Sequence, residues 1–167
     1  TEGTNANNYT ITQVNGTLTV SDRDEDAKYQ ITVEAKSDTV KYDGTEHSVS
    51  GLEEDTFEVA GHTYTVSGLS AEVSGTDAGS YTAQVTGTAV VEDADGNDVT
   101  NQFKVNRKSG TLTIEKRNVT LTSGSDEKAY DGDPLTNSEV TVSGDGFVEG
   151  EGAEYSFTGS QTLVGSS

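Results

Sequence analysis

Three landmarks, Tyr29-Gln30-Ile31-Thr32-Val33-Glu34-Ala35, Tyr42-Asp43-Gly44 and Gly110-Thr111-Leu112-Thr113-Ile114, mark the start, first turn and end of one stretch, Lys28 to Lys116. Two of them have echoes outside it. Tyr130-Asp131-Gly132 repeats the turn downstream, and Gly16-Thr17-Leu18-Thr19-Val20 repeats the ending upstream. Adding 94 carries Asn7, Tyr9, Ile11 and Gly16 onto Asn101, Phe103, Val105 and Gly110; adding 88 carries Ile31, Val33, Tyr42 and Gly44 onto Val119, Leu121, Tyr130 and Gly132. Farther along the offset drifts: adding 91 takes Tyr64 and Gly68 to Tyr155 and Gly159, and Gly79-Ser80 answers to Gly165-Ser166. Loop insertions in a tandem repeat produce such drift. The expected organisation is a complete central unit (27–116), preceded by the closing hairpin of an earlier repeat (1–21) and followed by the opening part of a later one (117–167).

Within each unit the side chains alternate. Tyr29 to Ala35, Asp38 to Tyr42 and Tyr81 to Val85 read as strands, with a turn at Asp43-Gly44. Tyr9 to Val20 forms two alternating runs around Asn15-Gly16, the strongest short-range hairpin signal. Its later copy places Phe103, Val105, Leu112 and Ile114 on one face around Ser109-Gly110. A single long strand with a glycine bulge preserves the same alternation but changes the pairing.

Composition agrees with many short strands. Hydrophobic residues make up 30% of the 167 residues and aromatics 7%, too lean for one large core, while Thr, Ser, Val and Gly abound. The expected fold class is all-β or mostly β, in small β-grasp-like or β-sandwich-like modules arranged end to end. The formal net charge is −19, from 29 acidic and 10 basic residues, which disfavours phosphate backbones and anionic lipid and keeps copies soluble. Cysteine is absent, so neither disulfides nor thiolate metal sites support the fold. No apolar run reaches the length of about 20 residues that a membrane helix needs. Half-units expose apolar edges, so the ends are expected either to pair head to tail between chains, residues 1–21 with 117–167, or to be continued by further repeats.

With Tyr42-Asp43-Gly44, Tyr130-Asp131-Gly132 and the twice-occurring N-x-[YF]-x-[IV]-x₄-G-T-L-T-[VI], the chain resembles the tandem MBG ("mostly beta-grasp") and YDG repeats of bacterial surface proteins. The resemblance implies a stalk or spacer within an extracellular, cell-wall-anchored adhesin of a Gram-positive bacterium, with neighbouring repeats as its partners and no catalysis. Phe103 departs from the usual tyrosine, and Asp133 stands where Thr45 does. Recognition of a host glycan or protein is the alternative role.

Chemistry-bearing candidates are few. Asp93, Asp95 and Asp98 alternate around Gly96 as in a short calcium loop, although the distal glutamate of such loops is replaced by Gln102 and Phe103; a solvated turn explains the same residues. Tyr42 and Tyr130 are candidate recognition residues, because aromatic rings stack on sugars, or else tyrosines buried before a tight turn. His47 and His62 lack a serine or cysteine in a nucleophile setting, and Glu53-Glu54 and Glu149/Glu151 read as solvated loops before they read as a glycosidase pair. Lys36 and Lys41 are the lysines to examine for an isopeptide cross-link, which needs a buried lysine beside a carboxyl. No cofactor is expected.

Overall fold

In the computed structural model, which describes residue 10 and residues 12–166, the protein is all-β. In chain order the strands are β1 (Tyr29–Glu34), β2 (Asp38–Lys41), β3 (His47–Ser50), β4 (Thr56–Val59), β5 (His62–Ser70), β6 (Glu72–Gly75), β7 (Gly79–Ala83), β8 (Thr86–Asp93), β9 (Phe103–Lys108), β10 (Gly110–Glu115), β11 (Val119–Ser123) and β12 (Val140–Gly144). Helical structure is limited to single 3₁₀ turns at Glu25–Ala27 and Thr100–Gln102 among the described residues. None of the described helices is long and apolar enough to cross a membrane.

The chain returns at its end to lie beside its beginning. β9 runs parallel to β1, with Ile31 opposite Val105 and Val33 opposite Arg107; β10 runs parallel to β2, with Leu112 opposite Asp38 and Ile114 opposite Val40. On its other edge β10 pairs antiparallel with β7. The expected hairpin at Ser109-Gly110 is therefore not formed. Residues 103–115 instead make one interrupted strand, the bulged alternative, that leaves the β1 sheet and enters the β2–β10–β7 sheet. Alternation is the same in both arrangements, which is why local periodicity did not separate them.

A break on the partner side accompanies the change of sheet. Ala35 N donates to Lys108 O at 2.9 Å, and Thr111 N donates to the Ser37 hydroxyl at 3.0 Å. At the crossing, a Cβ on Gly110 would stand 2.0 Å from the Lys36 carbonyl oxygen. Only a glycine allows backbones so close.

The remaining strands build antiparallel sheets, β3–β6 and β4–β5–β8, the latter bulged between Ser67 and Leu69. Two apolar clusters result. One gathers Ala35, Val49, Ala71, Ala83, Val85, Leu112 and Ile114; the other gathers Ile31, Val33, Val66, Val91 and Phe103, with Tyr64 edge-on to Phe103 at a ring separation of 4.7 Å. Leu52 and Leu69 pack against both clusters and join them. Complete burial of a side chain such as Leu112 stabilises by about 1.5–3 kcal/mol, so these few residues supply most of the driving force.

Every buried hydrophobic among the described residues lies between Ile31 and Ile114. Downstream, β11 and β12 form a two-stranded antiparallel ladder whose Leu121 and Val142 stay 45% and 40% exposed. Upstream, the Asn15-Gly16 hairpin does not form among residues 12–20, where no strand occurs and Leu18 and Val20 are fully exposed. Tyr9 and Ile11 of that expected hairpin lie outside the described residues. An isolated two-stranded ribbon is marginal in water even with a favourable turn, because turn chemistry alone does not offset ordering entropy.

Candidate functional site

The turn at Tyr42-Asp43-Gly44 is built by its aspartate. Asp43 Oδ1 accepts from Thr45 N at 2.9 Å, from the Thr45 hydroxyl at 2.7 Å and from His47 Nε2 at 2.9 Å. The two Thr45 bonds, followed by the His47 contact, hold its carboxyl down to about 2. Gly44 then takes φ of +80°, which β-carbon-bearing residues resist. The second copy follows the same plan: Asp131 Oδ1 accepts from Asp133 N at 3.0 Å, and Gly132 has φ of +90°. Lys128 Nζ, at 2.7 Å, replaces the histidine.

What covers the first copy is the loop following β12. The Val148 side chain lies 3.0 Å from where a Cβ on Gly44 would stand, the Tyr42 hydroxyl donates to Glu151, and Lys41 Nζ meets Asp145 Oδ1 at 2.8 Å. Arg117, in the connection between β10 and β11, completes the joint. Its guanidinium donates to the carbonyl of Gly146 at 2.8 Å, to that of Tyr42 at 3.3 Å, and to that of Asp145. Asp145 in turn accepts from Asn118 N at 2.8 Å. The Lys41 hydrogen bond, then those of the Asn118 backbone and the charge of Arg117, lower the Asp145 carboxyl; the Glu151 bond raises the Tyr42 phenol. Lys41 is half-exposed in an ion pair, so it lacks the dry setting that isopeptide chemistry requires.

The two tyrosines thus have different surroundings. Tyr42 is half-buried with its hydroxyl engaged, whereas Tyr130 is 65% exposed at the rim of an open depression of about 370 Å³ that Leu135 also lines. Gly132, unlike Gly44, has open space beside it.

Asp93, Asp95 and Asp98 do not converge. Asp93 accepts from Asp95 N, Asn97 N and the Asn97 amide, and Asp98 accepts from Thr100 N and its hydroxyl, so both carboxylates serve their own turns. These bonds, chiefly from Asn97 and Thr100 respectively, lower both carboxyls. Among the described residues, no three acidic, histidine or cysteine side chains are grouped so as to hold a metal ion. Of the remaining candidates, His47 is hydrogen-bonded to Asp43 and Glu151 to Tyr42.

Sequence reasoning passed over Arg117, yet a signal was present. Arg23 and Arg117 are 94 residues apart, the same offset that relates the two G-T-L-T endings. Arg23 also works at the start of a unit: its guanidinium lies 4.0 Å from the Tyr29 ring centroid, and its backbone N donates to Gln102. Compared with family models, with curated proteins and with solved structures, the chain matches none of them.

Proposed function

We propose that this chain is a non-catalytic spacer: a run of β-repeats that extends a bacterial surface protein of the MBG/YDG kind away from the cell wall. The observation that carries the reading is the seat at Tyr42-Asp43-Gly44, where Val148, Glu151, Asp145 and Arg117 of the following segment meet the central unit through a connection of three residues, Lys116 to Asn118. A connection that short, tied by side chains to backbone carbonyls, transmits orientation from one repeat to the next instead of behaving as a flexible linker. In this reading the tyrosine, aspartate and glycine are kept as a docking seat between repeats. High negative charge adds repulsion that favours extension.

Because the chain has no cysteine, spin labels go only where cysteines are introduced. Labels at Glu58→Cys and Thr158→Cys, both exposed positions, should give a narrow distance distribution by pulsed electron spin resonance. Arg117→Ala should broaden it. A native distribution as wide as that of Arg117→Ala would overturn the spacer reading.

The exposed Tyr130 favours the second reading, recognition of an extracellular glycan or protein. Binding on a glycan array that Tyr130→Ala abolishes and Tyr42→Phe leaves intact would establish it.

A further inference from the structure

The second copy of the repeat retains the acceptor half of a strand pairing whose donor half lies free at the other end of the chain. In the central unit, Gly110–Glu115 lies parallel to Asp38–Lys41, Thr111 N donates to the Ser37 hydroxyl, and Ala35 N donates to Lys108 O. Adding 88 carries Ala35, Ser37, Asp38 and Tyr42 onto Ser123, Ser125, Asp126 and Tyr130; subtracting 94 carries Lys108, Gly110, Thr111, Leu112 and Ile114 onto Val14, Gly16, Thr17, Leu18 and Val20. Serine, aspartate, tyrosine, glycine, threonine and leucine are thus retained at corresponding places.

The entry to the acceptor keeps two hydrogen bonds of the template. Lys36 N donates to Gly51 O, and its counterpart Gly124 N donates to Glu139 O. Since successive N–H groups of a strand point to opposite edges, Ser123 N faces the other edge, as Ala35 N does toward Lys108. Asp38 Oδ1 accepts from Thr39 N at 2.8 Å, and Asp126 Oδ1 likewise accepts from Glu127 N at 2.8 Å. Yet residues 124–131 form no strand.

The donor shows the complementary vacancy. Leu112 and Ile114 are 0% and 2% exposed, whereas Leu18 and Val20 are fully exposed. Gly110 is demanded by the Lys36 carbonyl 2.0 Å from its would-be Cβ; Gly16 has nothing within 4 Å. A glycine kept for a close approach, beside two bare aliphatic side chains, fits a strand whose partner belongs to another molecule.

We propose that residues 14–20 of one copy add as a parallel strand to residues 123–130 of a second copy, so that this chain associates head to tail. Leu18 stands opposite Asp126 and Val20 opposite Lys128, Thr17 N donates to the Ser125 hydroxyl, and Ser123 N donates to Val14 O. The two aliphatic side chains cover the depression bordered by Tyr130 and Leu135. Residues 14–20 carry no charge, but the whole chain carries −19, so copies repel at long range and salt should strengthen the association.

Sedimentation of the full chain from about 10 μM to about 1 mM, at low and high salt, tests this. The native chain should form concentration-dependent oligomers, more of them at high salt. Leu18→Asp/Val20→Asp removes the donor, and Lys128→Pro removes a ladder N–H from the acceptor, because Lys128 answers to Val40, on the same edge as Tyr42 N, which donates to Glu115 O. Each should weaken self-association at least about tenfold, because a charge or a lost ladder bond disrupts a small interface. Mixed together, the two variants should form only heterodimers, which also shows that neither has unfolded. Three results would overturn the proposal: a monomeric native chain throughout, variants that associate like the native chain, or a mixture that gives no heterodimer.

Discussion

At residue scale the fold depends on a few side chains and on one missing side chain. Gly110 sits where the chain passes from one sheet to the next, against the Lys36 carbonyl, so Gly110→Ala must displace backbone. It should cost about 1–3 kcal/mol, as overpacking does, read from urea midpoints; Gly16→Ala, in open space, should leave the midpoint unchanged. Asp43 supports a pH prediction. Its folded-state carboxyl is held near 2, below the usual carboxylate value of about 4, so its contribution is fully present above about pH 4 and is lost as pH falls toward 2. Thermal melts between pH 5 and pH 2 should show a falling midpoint, with a shallower slope in Asp43→Asn. An unchanged slope would mean that the turn does not depend on the charged form. The turn's φ and its aspartate were readable in Asp43-Gly44, because both act within three residues.

At element scale, strands and their faces were legible and their partners were not. Tyr29 to Ala35 and Asp38 to Tyr42 were expected as strands and appear as β1 and β2, because period-two alternation is a local property. β9 and β10 were placed in a hairpin but are one bent strand in two parallel ladders, a pairing between residues more than 70 positions apart. No short window contains such information. The contacts of the joint between β10 and β11 were equally hidden, although the offset from Arg23 marked the residue: Arg117 acts through carbonyls, which any sequence offers. Its chemistry gives a prediction on the alkaline side. The Tyr42 phenol is raised by Glu151, so the contact is intact below the ordinary phenol value of about 10 and is lost as pH rises through the raised value. Between pH 9 and pH 12 the spin-label distance distribution should broaden in the native chain. In Tyr42→Phe it should already be broader at pH 9 and change less; parallel behaviour of the two would remove Tyr42 from the joint.

At the scale of the whole molecule, charge opposes compactness. Nineteen uncompensated negative charges repel one another at about neutral pH, and this self-repulsion is screened within about 10 Å at 0.1 M salt. Raising sodium chloride from about 20 mM to about 500 mM should therefore raise the melting temperature. Surface ion pairs such as Lys108–Glu34 are weak enough that their screening should not reverse the trend. A melting temperature that falls with salt would mean that attractive pairs dominate. Stability should also be uneven: hydrogen exchange ought to be slowest at Val33, Val91 and Leu112 and fast along β11 and β12, where no hydrophobic side chain is buried.

The amino-acid sequence alone determined that this is a strand-forming, strongly acidic chain, because alternation, turn residues and charge are written residue by residue. It also supplied the offsets that relate Gly16 to Gly110 and Tyr42 to Tyr130. Only the tertiary structure decided which edges meet: parallel return strands instead of a hairpin, the Asp93 and Asp98 carboxylates bonded within their own turns, and the Tyr42 turn beneath a neighbouring loop. Those outcomes depend on distances between residues far apart in the chain, and the backbone hydrogen bonds and close contacts that set them carry no local signature.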